Sequence, residues 1–347
     1  MKPRSERATL KDVARFAGIS VATVSRVLRG SGPTSAETRS QVLAAIEAMG
    51  YQKGSGEKPS SGQPYPLVAL MISDIMNPFF PEIVRGVEEE AIQAGYGLLL
   101  YNTAEDTGLE LKLIQQMMAW KVTGIIFCSA RVTSQNLVNL YENTGLPLVL
   151  INRRVDHPKI PAIVIDFKAA ATQAAQHLLN LGHTRIAYLG GLLSSETSMK
   201  RREGIQTALA GAGLTLRPDW CINNFPNVEG GFQGMSALLA QSGATPPTAV
   251  IAYNDMIAIG ALNAIRAHQL RVPEDISVVG FDGISLAAYT NPPLTTINQP
   301  KFQMGSLAMR MLHAMIQGQD MPGGGYMLME SPLIIRASTA PPRTENR

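Results

Sequence analysis

From Leu67 onward the chain alternates short, uninterrupted apolar runs with longer stretches of helical periodicity, and few folds accept that pattern. The runs are LVALMI (67–72), GLLLY (97–101), GIIFC (124–128), PLVLI (147–151), AIVI (162–165), RIAYL (185–189), TAVIAY (248–253) and ISVVGF (276–281). Between them, segments such as 79–95, 107–120, 168–181, 199–212, 229–241 and 254–267 place apolar residues every three or four positions. A strand that is apolar throughout is buried on both faces, as in a parallel sheet whose crossover helices cover it on either side. The pattern predicts an α/β body of two parallel-sheet lobes. The short irregular link between PLVLI and AIVI is the expected crossing from one lobe to the other. Apolar residues make up 45% of the chain against 16% charged, enough for a large core.

Before the body the texture differs. Residues 52–66, QKGSGEKPSSGQPYP, hold three Gly, three Ser and three Pro with no buried pattern. This reads as a flexible linker of about 20 Å root-mean-square span. Residues 1–58 carry ten Lys/Arg and five Asp/Glu, a surplus of +5, whereas the whole chain is only +3. A basic head on a near-neutral body points to a polyanion partner for the head alone. The expected division is 1–51 head, 52–66 linker, 67–340 body and 341–347 tail.

The head reads as three short helices. Thr9 is positioned to cap the first, which Gly18 stops; Ser20 caps a second with Val24, Val27 and Leu28 inward; Ser35 caps a third, with Val42, Ala45, Ile46 and Met49 inward, before Gly50. Two helices joined by a tight Gly-containing turn form a helix-turn-helix. On the second helix Ala22, Arg26 and Arg29 recur at i, i+4 and i+7, with Val21 and Ser25 alongside, opposite the apolar stripe. A face with so little bulk lets the backbone approach a groove. Arg26 has the fork that fits guanine O6 and N7, and the hydroxyls of Ser20, Thr23 and Ser25 suit phosphate oxygens.

The segment TLKDVARFAGISVATVSRVLRG, with TSAETRSQVLAAIEAMGY after it, resembles the N-terminal domain of the lactose/galactose repressor (LacI/GalR) family. The similarity continues through MISDIMNPFF, GHTRIAYLGG, RREGIQTAL, YNDMIAIGAL, VPEDISVVGFDG, PPLTTINQP and LIIRAST, covering residues 9 to about 340. The linker and C-terminal third are most similar to a branch that regulates nucleoside uptake and catabolism. The resemblance implies a periplasmic-binding-protein-like body, a double-stranded DNA operator, a homodimer and a small sugar or nucleoside effector. It implies base contacts from Val21, Ala22 and Arg26. Backbone contacts would come from Thr9, Leu10, Ser20, Thr23, Ser25, Ser35 and Thr38. One departure stands out: after Tyr51 the chain has Gln-Lys-Gly-Ser-Gly instead of Pro-Asn and a hinge helix, and Ser60 stands where a wedging Leu is expected. Loosely tethered heads that tolerate variable half-site spacing follow from that.

Ligands of open parallel sheets bind beyond the C-terminal ends of the strands. There the chain places Asp74, Asn77, Phe79 and Phe80 after LVALMI, and Asn152 and Arg153 after PLVLI. Arg201 follows RIAYL, Asn254 and Asp255 follow TAVIAY, and Asp282 follows ISVVGF. Carboxylate, guanidinium and aromatic ring together suit a hydroxyl-rich ligand. The resemblance implies effector contacts from Arg201, Asn254 and Asp282, and from Phe80, Arg153, Phe225 and Gln299.

Catalysis finds little support. LGG at 189–191 lacks the full glycine fingerprint, no phosphate loop is present, and the five His (157, 177, 183, 268 and 313) are scattered. His183 is expected to shape a loop, and Cys128 and Cys221 to be core thiols. No metal or cofactor is expected. No run of about 18 apolar residues suggests a membrane span, and the basic N-terminus is not followed by a secretory apolar stretch, so a cytoplasmic protein is expected. Two other readings share the body: a sugar- or nucleoside-binding transport protein, and a cytoplasmic α/β kinase. The first should lack a basic head and the second should carry a phosphate loop. Without leucine heptads at the C-terminus, assembly beyond a dimer is not expected.

Overall fold

Three short helices close around a small apolar core in the N-terminal unit: α1 (Leu10–Ala17), α2 (Val21–Arg29) and α3 (Ala36–Ala48). The computed structural model describes residues 10–29, 34–49, 65–193, 195–243, 245–319 and 325–343. Gly18 leaves α1 at φ 66°, a left-handed conformation that a side chain would strain. The Ser20 hydroxyl accepts from the Thr23 N–H at 3.2 Å and caps α2; Ser35 accepts from the Thr38 N–H at 3.2 Å and caps α3. Val13, Ala14, Ala17, Val24, Val27, Val42 and Ala45 form the core. Gln41 Nε2 donates to the Ala17 carbonyl at 3.0 Å, tying α3 to the end of α1. Thr9 and the side chains of Leu28 and Arg29 lie outside the described residues. So do the linker up to residue 64, with Ser60, and the tail after residue 343. Contacts separate this unit from the body between positions 64 and 65.

The body holds two six-stranded sheets. The first lobe begins with β1 (Leu67–Ile72), α4 (Phe79–Ala94), β2 (Gly97–Asn102), α5 (Thr107–Ala119), β3 (Gly124–Cys128), α6 (Ser134–Thr144), β4 (Leu148–Ile151) and β5 (Ala162–Ile165). The second contains α7 (Phe167–Asn180), β6 (Ile186–Gly190), α8 (Glu196–Gly211), β7 (Cys221–Asn223), α9 (Val228–Ser242), β8 (Ala249–Ala252), α10 (Asp255–Ala267), β9 (Ser277–Asp282) and β10 (Thr295–Asn298). The chain then returns through α11 (Lys301–Ile316) and β11 (Tyr326–Met329) to the first lobe, and ends with β12 (Leu333–Ile334) in the second. Strand orders are β11-β5-β4-β3-β1-β2 and β12-β10-β9-β8-β6-β7. All pairs are parallel except β10 with β12.

Each of the eight apolar runs forms a strand. The link between β4 and β5 does not cross between lobes, contrary to expectation. Leu150 pairs with Ala162 and Ile151 with Ile163, so the two strands are neighbours in one sheet. The Asn152 N–H donates to the Ile163 carbonyl at 2.8 Å, which closes the link back onto its own lobe. The crossings lie at β5–α7, β10–α11 and β11–β12, which makes three strands of chain between the lobes. Helix α7 packs on α8, and α11 packs on α4. The second contact is very close: a Cβ on Gly86 would meet the Phe302 carbonyl oxygen at 2.2 Å, and one on Gly305 the Ile83 carbonyl at 2.2 Å. No helix among the described residues is long and apolar enough to cross a membrane.

Candidate functional site

On α2 the side chains of Val21, Ala22 and Arg26 are exposed, while Val24 and Val27 are buried. No ion pair holds Arg26 among the described residues. Thr23 and Ser25 are half-buried at the edge of this face. The Thr23 hydroxyl pairs with Ser20 Oγ at 2.8 Å, and Thr38 with Ser35 Oγ at 2.8 Å, so both pairs sit at helix N-termini with oxygens near solvent. Leu10 packs against the core instead of standing free. The result is a short helix that, among the described side chains, offers the Arg26 guanidinium and small residues flanked by hydroxyls, which is a surface a DNA groove accommodates.

The body's cleft lies where the strand ends of the two lobes face each other. It is open to solvent, with about 440 Å³ of empty space between its walls, and includes Asp74, Phe79, Phe80, Asn152, Arg201, Asn254, Asp282 and Gln299 of the expected residues in its lining. Phe79 and Phe80 are stacked edge to face, with centroids 5.1 Å apart, at the start of α4. Arg201 is buried with its guanidinium 4.0 Å from the Phe281 ring centre and 4.3 Å from that of Tyr253. It donates to the Tyr253 carbonyl, reaches Asp282 Oδ1 at 3.5 Å, and keeps a buried Nε with no partner. Asp282 adopts φ 107°, strained for a residue with a side chain, and accepts from Gln299 Nε2 at 2.7 Å. Burial pushes its carboxyl up to about 6 despite the neighbouring Arg201 and Lys301. Behind it, burial and the charge of Asp282 push Asp255 up to about 8.

Asn152 donates to Gln299 Oε1 at 3.2 Å across the lobes, and its Oδ1 is buried without a partner. Asn254 is fully engaged: its Oδ1 caps α10 at the Ile257 N–H, 2.8 Å away, and its Nδ2 donates to the Pro226 carbonyl at 3.1 Å. Two expected contacts lie outside this lining. Arg153 donates to the carbonyls of Ala130 and Val132 and to Ser134 Oγ at 3.2 Å, and with Arg131, Asn152, Glu196 and Thr197 it lines an adjoining part of the cleft. Phe225 lies 44% exposed outside the lining.

The lining also contains Glu105, Ser129, Arg131, Phe167, Thr197 and Tyr253, none of them singled out from sequence. Arg131 follows β3 by the same strand-end rule that selected Asp74, so a signal was present. Its Nε donates to Glu105 Oε2 at 2.6 Å within the first lobe, and its Nη1 to Ser195 Oγ at 3.4 Å in the second. Burial raises the Tyr253 hydroxyl, but Arg131 and Arg201 beside it outweigh that and bring it below the ordinary tyrosine value.

His183 is structural: it bonds Thr248 Oγ1 at 2.9 Å and Ser277 Oγ at 3.1 Å, and burial lowers its pKa. Trp220 is a core residue, and both cysteines are free thiols, Cys128 buried and Cys221 half-buried. No group of His, Cys, Asp and Glu among the described residues is arranged to hold a metal ion.

Comparison with known proteins agrees with both halves of this picture. Residues 9–53 match the model for bacterial regulatory proteins of the lacI family, and residues 175–339 that for a periplasmic binding protein-like domain. The chain is 34% identical over 331 residues to the HTH-type transcriptional repressor PurR of Pasteurella multocida, covering 95% of this chain and 98% of that protein. It is 34% identical over 341 residues to the repressor CytR of Escherichia coli, covering 97% and 98%. Among solved structures, a lac repressor dimer bound to operator and the anti-inducer ONPF superposes with a TM-score of 0.72 at 28% identity, over 96% of this chain and all of that one. The transcriptional regulator CelR in complex with cellobiose gives 0.71 at 29% identity, over 96% and 100%. The chain belongs to the LacI family of bacterial regulatory proteins.

Proposed function

We propose that this chain is a transcriptional repressor which binds a symmetric operator as a homodimer through α2 and responds to a sugar or nucleoside held in the cleft. The observation that carries the reading is the exposed, basic, small-residue face of α2 on a unit separate from a polar cleft built for a ligand. The relatives named PurR and CytR, and the operator and cellobiose complexes, support it. One head covers half a site, so a two-fold operator requires two copies. In this reading residues 1–51 bind DNA, 52–66 tether, and 67–340 sense the effector and dimerise, all in the cytoplasm, where the DNA is. Val21, Ala22 and Arg26 face bases, while Thr9, Leu10, Ser20, Thr23, Ser25, Arg29, Ser35 and Thr38 serve the phosphate backbone. In the cleft Asp74, Asn152, Arg201, Asp282 and Gln299 bond ligand hydroxyls, and Phe79 and Phe80 cover an apolar face.

A panel of sugars and nucleosides tests this by thermal shift, since a ligand selective for the folded state raises its stability by RT ln(1 + [L]/Kd). A ligand that raises the melting point should also change operator affinity about 5- to 150-fold, the usual range of coupling between two sites. A ligand that stabilises the body without altering operator affinity contradicts the reading.

A further inference from the structure

We propose that Glu105 is a specificity-determining residue of the cleft: by neutralising Arg131 it restricts the cleft to uncharged ligands and shuts out their phosphorylated counterparts. This rests on the effector reading above and adds to it the charge class of the ligand.

Arg131 carries what an anion site needs. Its side chain is 9% exposed at the end of β3, and it faces a cluster of hydroxyls on the other lobe. Ser195 Oγ lies 2.9 Å from Thr197 Oγ1, which lies 3.0 Å from the Tyr253 hydroxyl. A guanidinium opposite three hydroxyls is the chemistry that binds a phosphoryl group. Glu105 occupies it instead. Its side chain is 5% exposed and accepts from Arg131 Nε at 2.6 Å, so the pair is closed off from water. The loop that delivers it is strained: Ala104 sits at φ 50° and Glu105 at φ 63°, consecutive left-handed residues where Gly or Asn is ordinarily found. The Glu105 N–H donates to the Ser73 carbonyl at 3.1 Å, fastening the loop to the end of β1. Strain that delivers a carboxylate onto a cleft guanidinium marks that carboxylate as functional.

The remaining charges lead the same way. Arg201 is matched by Asp282 at 3.5 Å, and Lys301 is turned onto the carbonyls of Asp282, Gly283 and Gln299. Asp74 lines the cleft with no cationic partner among the described residues. A phosphoryl group therefore meets three carboxylates (Asp74, Glu105 and Asp282) and two guanidiniums that are already paired; in the adjoining part of the cleft Arg153 is turned onto the carbonyls of Ala130 and Val132 and shares the space with Glu196. A neutral sugar or nucleoside meets donors and acceptors with no charge to compensate. Occupying a cation in advance is a means of selecting against the wrong ligand.

The test is titration calorimetry on the full-length protein with three matched pairs: cytidine and cytidine 5′-monophosphate, ribose and ribose 5-phosphate, glucose and glucose 6-phosphate. Melting in inorganic phosphate against chloride of equal ionic strength accompanies it. The wild-type protein should prefer the neutral member of whichever pair it binds by about 100-fold or more, and phosphate should not stabilise it beyond chloride. Glu105→Gln keeps an oxygen for Arg131 Nε but removes the charge. It should narrow that preference about 10-fold and make phosphate stabilising beyond chloride. Adding Arg131→Gln should abolish both gains. Equal or tighter wild-type binding of a phosphorylated member overturns the proposal. So does a folded Glu105→Gln protein with unchanged preference and no phosphate response. If no neutral member of a wider sugar and nucleoside panel binds the wild type, the effector reading fails, and the phosphate arm still decides the role of Glu105.

Discussion

On the proposed reading Arg26 carries most of the recognition of DNA sequence, since its guanidinium is exposed on the α2 face. Arg26→Ala should lower the preference for operator over random duplex by about 1–3 kcal/mol, measured as competing affinities at one salt concentration. Its effect on binding to random duplex should be small by comparison. In the body, Asp255 offers a test of the buried acids. Burial and the neighbouring Asp282 hold its carboxyl up at about 8 in the folded protein, although the Thr296 hydroxyl at 2.5 Å and the Ile284 N–H at 2.8 Å both donate to it and act the other way. A raised acid means that the folded state binds the proton more tightly than the unfolded chain. Its contribution is complete at low pH and is lost as pH rises from about 4 to about 8. Asp255→Asn keeps an acceptor for the Ile284 N–H and turns an amide N–H toward the Thr296 oxygen, whose hydroxyl then accepts; it should flatten the fall in melting temperature across that window, and an unchanged slope contradicts the assignment. Half of the residues lining the cleft were legible from one rule, that ligands sit beyond parallel strand ends. The rule gives a residue's address but not its rotamer: Arg153 bonds the carbonyls of its own lobe and lines only the adjoining part of the cleft. The rule also passed over Arg131, whose role shows only once Glu105 and Ser195 are beside it.

At the scale of elements, the eight apolar runs were unmistakable because strands buried on both faces need no polar alternation. The strands that sequence did not reveal are of another kind. Cys221–Asn223 and Thr295–Asn298 are short and polar-flanked, Leu333–Ile334 is two residues long, and Tyr326–Met329 is an edge strand with exposed side chains. Their pairing is decided by the sheet they join. Helix α11 was missed for a related reason: its role is to return the chain to the first lobe and pack on α4, a tertiary event. That packing depends on two glycines. Gly86→Ala would drive a methyl into the Phe302 carbonyl at 2.2 Å and the Ser306 nitrogen at 2.8 Å, both backbone atoms. The helices must separate, at a cost of about 1–3 kcal/mol, read as a lower denaturant midpoint of the body with operator recognition by the head intact. The N-caps Ser20 and Ser35, by contrast, were legible in sequence, since capping is local.

For the whole molecule, composition alone separated a basic head from a near-neutral body, and contacts divide the chain at the end of the Pro/Ser/Gly-rich segment. The lobe crossings were not legible: a short link looked like a passage between lobes, whereas the chain crosses at three other points, including one after β10 that only the register of β11 on β5 reveals. Three crossing strands join the lobes, and Asn152 and Gln299 are bonded between them. In the proposed function a three-helix head reads DNA sequence in two-fold pairs. Footprinting the purified protein along the DNA upstream of its own gene tests this most directly. It should protect a palindrome whose half-sites lie on one face of the duplex, and the protection should be lost in Arg26→Ala at the same salt. Uniform or absent protection, or a footprint indifferent to Arg26, would contradict it.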